Sequence, residues 1–182
     1  MIVCSLPRCG ATKFCLDLEA KTKLQFVGEL NPIHINNDRK AVVHETLYQP
    51  AHTPSSFADI LNNNDDCIAL VNQHSYLMLP HASFVILRRN MRNAALSLAN
   101  FLIKMYPSIK PIQINHQLTL MYHDWIGIRS YLDKYPKDTI WYEDYYNIFE
   151  TKTPLLDQYR GRDLIMKEIE ALWDTHLIDV TH

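Results

Sequence analysis

The residues best equipped for chemistry lie in one short segment, Ser5-Leu6-Pro7-Arg8-Cys9-Gly10-Ala11-Thr12-Lys13. An apolar run, Ile2 to Cys4, precedes it, and a helix-compatible stretch, Lys13 to Thr22, follows. A strand, a tight glycine-containing turn and a helix start together make an anion site. Backbone N–H groups in the first helical turn have no acceptor within the helix, and the helix dipole favours negative charge there. Arg8 adds a guanidinium fork that suits phosphate or sulfate oxygens, and Thr12 adds a hydroxyl. The spacing is not that of a nucleoside-triphosphatase loop, GxxxxGK[ST], which needs a lysine on the outer phosphates and a hydroxyl on magnesium. Here Lys13 lies beyond the glycine and Phe14 follows it, so no hydroxyl stands where the metal would be held.

A second basic segment follows another apolar run. Phe84-Val85-Ile86-Leu87 reads as a buried parallel strand, and it leads into Arg88-Arg89-Asn90-Met91-Arg92-Asn93-Ala94-Ala95-Leu96-Ser97. An arginine at a strand end and a serine on the following helix can converge on one phosphate. The competing reading is a solvated basic turn with Ser97 inside a helix.

The first segment resembles the 5′-phosphosulfate loop of the sulfotransferases, patterned roughly Pro-[Lys/Arg]-Ser-Gly-[Thr/Ser]-Thr. Pro7, Arg8, Gly10 and Thr12 match it, while Cys9 and Ala11 each lack a hydroxyl that the family often has. The second segment is similar to the family's 3′-phosphate site, Arg-[Asp/Asn]-Pro-x-x-x-x-x-Ser: Arg89, Asn90 and Ser97 fall at the expected places, and Met91 replaces the proline. Gly28-Glu29-Leu30, after a second strand read over Leu24 to Val27, is similar to a Gly-Glu in which the glutamate faces the acceptor. Thr139 to Tyr145 resembles a strand ending in Tyr-Glu-Asp-Leu; that element is usually structural, so Glu143 and Asp144 receive no chemistry. The resemblance runs in order over residues 2 to 145.

It implies a sulfuryl transfer from 3′-phosphoadenosine 5′-phosphosulfate (PAPS) to an acceptor hydroxyl or amine, with adenosine 3′,5′-bisphosphate (PAP) as product and no metal. Arg8 would stabilise charge on the transferring group. The loop Arg8, Cys9, Gly10, Ala11, Thr12 and Lys13 would hold the 5′-phosphate, and Arg89 with Ser97 the 3′-phosphate. Glu29 is the first candidate base. His74, in Asn72-Gln73-His74, is the other, similar in place to the catalytic histidine of cytosolic members, although Asn72 stands where they have lysine. Histidine's titration near neutrality suits that work. Arg160-Gly161-Arg162 is similar to a basic-glycine segment that closes over the 3′-phosphate, but a helix-start loop fits its surroundings better. His34, His44, His52 and His81 fall in loops and His116, His123 and His176 on predicted helices, with no metal-ligand spacing.

The elements that must position these residues follow from periodicity. Strands are expected at Cys67 to Val71, Phe84 to Arg88 and Ile140 to Tyr142, and helices over Asn93 to Tyr106, Gln117 to Leu132 and Asp163 to His176. Leu118, Met121, Tyr122, Trp125, Ile128 and Leu132 would form one buried stripe, and Ile165, Ile169, Leu172 and Trp173 another. Asn31 to Asn64 reads as a long irregular connection, the region that forms the acceptor pocket in the resembled family. Alternating strands and helices predict an α/β fold: a single three-layer domain over 1–182, its central, mostly parallel sheet covered by helices on both faces, with a P-loop-like loop after the first strand.

Composition sets outer limits. The chain of 182 residues is 47% hydrophobic and 21% charged, with a formal net charge of −2. Nothing in that charge suggests a global polyanion binder; nucleic acid would have to be held by a local patch, and no specific nucleic-acid partner is expected. No apolar run approaches the roughly 20 residues of a membrane span, and no secretion signal is read, which predicts a cytoplasmic protein. Its 4 cysteines show no CxxC or zinc spacing and are expected reduced. Cys9, beside Arg8, is expected to react with alkylating agents. The acceptor, whether small molecule, sugar or peptide, and the oligomeric state have no readable code. Two other functions compete: a non-catalytic PAP- or nucleotide-binding module, and a magnesium-dependent small-molecule kinase of related architecture. A cysteine phosphatase does not, because five residues after Cys9 would place its arginine where Cys15 stands.

Overall fold

The computed structural model describes residues 1–31, 42–43, 67–72, 84–134 and 138–174. It is an α/β fold, and the described chain divides into two compact units. The first holds 1–6, 10–87 and 136–140, and the second 7–9, 88–135 and 141–182.

The first unit is built on the sheet. Its strands are β1 (Ile2–Ser5), β2 (Gln25–Asn31), β3 (Val42–Val43), β4 (Cys67–Asn72), β5 (Phe84–Arg88) and β6 (Asp138–Trp141), in the order β3-β2-β4-β1-β5-β6. β2, β4, β1 and β5 run parallel, and only β3 pairs antiparallel among the registered pairs. Val3, Cys4, Ile68, Ile86 and Leu87 are almost wholly buried. That is why these strands read as continuous apolar runs rather than alternating ones. Helix α1 (Ala11–Lys21) packs on β1, β2 and β4 through Phe14 and Cys15.

Chain order fixes where a ligand can approach. From β1 the chain crosses to β2 on one side, whereas β6 lies on the other side of β5. Ser5, the last residue of β1, pairs with Leu87 of β5. The two segments singled out in the sequence therefore leave the carboxyl ends of neighbouring strands at a point where the winding reverses, the usual ligand crevice of open α/β sheets.

β2 is longer than the sequence suggests. Gly28-Glu29-Leu30 lies inside the strand rather than after it, because a bulge lets the ladder resume: Phe26 pairs with Ile68, then Glu29 with Leu70. Gly28 takes a φ of 99 at the bulge, a conformation that glycine reaches without a Cβ penalty. The predicted long connection contributes Asn31, the last residue of β2, and Val42–Val43, paired to β2; its other residues, and His74, lie outside the described set.

The second unit is helical: α2 (Met91–Met105), α3 (Pro111–Lys134), α4 (Tyr142–Tyr146), α5 (Pro154–Asp157) and α6 (Arg162–Ile169), which ends in a π-helical turn, Glu170–Asp174. Two helix starts lie upstream of their predicted places, and both have a capping reason. Asn90 Oδ1 accepts from the Asn93 amide at 3.2 Å, so α2 begins at Met91. Gln113 Oε1 accepts from the Lys110 amide at 2.9 Å, and Pro111 sits in the first turn, so α3 begins well before Gln117. The buried stripe of α3 is Ile114, Leu118, Met121, Trp125 and Ile128, at alternating spacings of four and three. It packs with Ile165, Ile169 and Trp173 of the last helix and turn, whereas Leu172 is only half-buried.

Gly161 opens α6 in a conformation any residue can adopt, but the Pro111 ring occupies the space a Cβ would need. Arg162 pairs with Asp157 at 3.6 Å, so this basic-glycine segment serves as the helix start. Gly161→Ala should destabilise the protein by about 1–3 kcal/mol through overpacking. Denaturant titration checks this, and an unchanged midpoint would contradict the contact.

Candidate functional site

The geometry of the first anion segment is set by two left-handed residues. Arg8 has φ 65 and Gly10 φ 79. Gly10 is the N-cap of α1, and no side chain caps that end. The Phe14 amide donates to the Gly10 carbonyl at 2.9 Å, which leaves the amides of Ala11 and Thr12 without intrahelical acceptors. Lys13 Nζ lies 3.5 Å from Asp17 one turn on, an exposed pair of little energetic weight.

Arg8 is not glycine, so its left-handed backbone costs about 1–2 kcal/mol. A specific contact holds it there: Arg89 Nη1 donates to the Arg8 carbonyl at 2.9 Å. The Arg8 side chain lies over the Phe101 ring, with its guanidinium carbon 4.4 Å from the centroid, and Nε donates a long hydrogen bond of 3.4 Å to Ser97 Oγ. Ser97 and Phe101, four apart on α2, thus support the same guanidinium. As a residue Arg8 is exposed, yet its guanidinium is partly shielded. That burial first, and the Arg89 charge second, lower its pKa, although an arginine stays charged at any ordinary pH. Among the described residues no carboxylate pairs with Arg8. Arg8 is thus a permanent cation beside a second cation, Arg89, with no carboxylate partner among the described residues.

Arg89 is the opposite case. It is only 9% exposed, and both of its terminal nitrogens donate to protein groups. Besides the Arg8 carbonyl, Nη2 donates to Thr151 Oγ1 at 2.6 Å, and the plane lies 4.6 Å from the Tyr142 ring. Nε is 3.9 Å from Glu143 Oε1, too far for a hydrogen bond, and remains without one. The same Glu143 oxygen accepts from the Asn90 amide at 3.0 Å and from Asn93 Nδ2 at 3.3 Å. Glu143 thereby fixes the turn between β5 and α2.

Of the residues singled out in the sequence, the structure brings Arg8, Arg89 and Ser97 together, but in a different pairing: Ser97 meets Arg8, and Arg89 faces the interior. Cys9 is 1% exposed, so its thiol packs inside the protein rather than facing the loop's ligand side; the reactivity expected for it lacks the necessary access. Cys4, Cys9 and Cys15 are all buried. Glu29 lies on β2. Thr151, Phe101 and Glu143 are the residues that motif reading passed over as site members. Only Glu143 carried a signal, its Tyr-Glu-Asp setting, whereas Thr151 stands 62 positions from the arginine it meets. No group of three or more metal-ligating side chains occurs among the described residues, and no helix there is long and apolar enough to cross a membrane.

Two outcomes follow from the loop geometry. Arg8→Gly should be more stable than Arg8→Ala by about 1 kcal/mol, because only glycine relieves the left-handed strain; equal stabilities in urea would contradict the backbone assignment. Iodoacetamide should leave Cys9 unmodified in the native protein and label it after denaturation, as peptide mass spectrometry reads directly. Rapid native labelling would contradict its burial.

No family model and no curated protein matches the chain. Among solved structures it is similar to a sulfotransferase from Alicyclobacillus acidocaldarius, at 12% identity over 95% of this chain and 94% of that one, with a TM-score of 0.48.

Proposed function

We propose that this protein is a sulfotransferase that moves a sulfuryl group from PAPS to a hydroxyl or amine of a small-molecule, sugar or peptide acceptor. The carrying observation is Arg8: a cation without a counter-charge among the described residues, in a left-handed loop after β1, its main chain clamped from behind. The sequence resemblance names the anion, since Pro7, Arg8, Gly10 and Thr12 follow a phosphosulfate-loop pattern.

PAPS supplies an activated sulfuryl group whose transfer leaves the protein mainly positioning and charge stabilisation to perform. Arg8 would hold the oxygens on which negative charge grows as the bond to the 5′-phosphate breaks. The main chain from Gly10 to Lys13 and the Thr12 hydroxyl would hold the 5′-phosphate, Cys9 and Ala11 contributing backbone alone. Ser97 and Arg89 are assigned to the 3′-phosphate, with Ser97 exchanging its long bond to Arg8 for the ligand. Glu29, or else His74, would take the acceptor's proton. No residue in this scheme requires a metal.

One observation favours a second reading, a PAP-binding module without turnover: Nη1 and Nη2 of Arg89 already donate to the Arg8 carbonyl and Thr151. The test is release of PAP from PAPS in the presence of a panel of phenols, sugars, amines and tyrosine peptides. The sulfotransferase reading predicts acceptor-dependent release, lowered about 10²–10³-fold in Arg8→Ala with the fold intact. Binding without release for any acceptor class would support the module. Arg89→Ala should weaken PAP far more than AMP; equal losses would remove Arg89 from 3′-phosphate recognition.

A further inference from the structure

Glu143 is buried, belongs to the start of α4, and touches no part of the anion loop, yet its contacts lead to it. One oxygen fixes the Asn90 amide and Asn93 side chain, and lies 3.9 Å from Arg89 Nε. Thr151 takes the far edge of the same guanidinium at 2.6 Å. Between these two contacts the guanidinium points Nη1 at the Arg8 carbonyl, 2.9 Å away. That hydrogen bond is charge-assisted, of a class strong enough to offset the cost of a left-handed arginine. Remove the supports, and the arginine loses the constraint that aims it, so the loop loses the contact that keeps Arg8 in place.

We propose that Glu143 and Thr151 are positioning residues: through the Arg89 guanidinium they hold Arg8 in its left-handed, anion-ready conformation, although neither touches the anion. The proposal rests on Arg8 being the anion-binding cation of the reading above, and extends it to groups far along the chain. It differs from ordinary structural burial in what it predicts. A merely structural Glu143 would change stability and leave the loop of the folded protein as it was.

The experiment compares Glu143→Ala, Glu143→Gln and Thr151→Val with the parent by amide resonances of Arg8 and Cys9, and by calorimetric affinity for PAP, well below each thermal midpoint. Glu143→Ala should displace both resonances and weaken PAP binding about ten-fold or more, ~1.4 kcal/mol. Thr151→Val, nearly isosteric, should displace them in the same direction with a loss of about three-fold, ~0.65 kcal/mol. Glu143→Gln keeps an acceptor for Asn90 and Asn93 and should recover most of the alanine loss. Unmoved Arg8 and Cys9 resonances in folded variants would overturn the proposal. If Glu143→Ala does not fold, Thr151→Val alone decides by the same criterion. Should the parent fail to bind PAP, the cofactor assignment falls, while the resonances still decide whether Glu143 and Thr151 position the loop.

Discussion

One buried guanidinium ties this site together. Arg89 joins segments that lie far apart in the chain: the Arg8 carbonyl 81 positions before it and the Thr151 hydroxyl 62 positions after it. Taking a guanidinium out of water costs several kcal/mol unless its charge and donors are answered. The Arg8 carbonyl, Thr151, the Tyr142 ring and the nearby Glu143 carboxylate provide that answer. The arrangement has two consequences. It ties Arg89 to the main chain of a strained loop residue, and it places a second positive charge beside Arg8.

Local structure and chain order cooperate to bring these groups to one place. β1 and β5 are neighbours, and each ends where an arginine follows within a few residues. The Asn90 cap turns the chain into α2 immediately after Arg89, so that Ser97 and Phe101 return on one helix face to support the Arg8 side chain. Asn100 on the same helix accepts from the Leu155 and Leu156 amides at 2.9 and 3.2 Å, which fixes α5 close behind Thr151. The polar side of α2 is therefore a scaffold as much as a solvated surface.

Much of this was legible in the sequence because it is written in short-range patterns. The run Phe84 to Arg88 is a strand with the bounds its residues suggest, and Leu118, Met121, Trp125 and Ile128 are buried as their spacing requires, while Tyr122 of the expected stripe is half-buried. What escaped reading depends on single hydrogen bonds. Gln113 reaching back to Lys110 makes a helix start out of a stretch that looks like a proline-flanked loop. Gly28 lets β2 continue through a bulge, which places Glu29 within the strand rather than beyond it. The pairing of Ser97 with Arg8, and the contacts of Arg89 with Thr151 and Glu143, join residues far apart in the chain, and no local pattern announces contacts at that separation. Cys9 reads as a reactive thiol from its charged neighbour and is a packing residue by its burial.

The central claim is that the loop around Arg8 receives the phosphosulfate end of a 3′-phosphorylated nucleotide. Calorimetric titration with PAP, with AMP and magnesium–ATP as controls, tests it most directly. PAP should bind in the micromolar range, about ten-fold or more tighter than AMP, ~1.4 kcal/mol. No binding of PAP, or a preference for magnesium–ATP, would contradict it and leave an anion loop in an α/β fold whose ligand is some other phosphate.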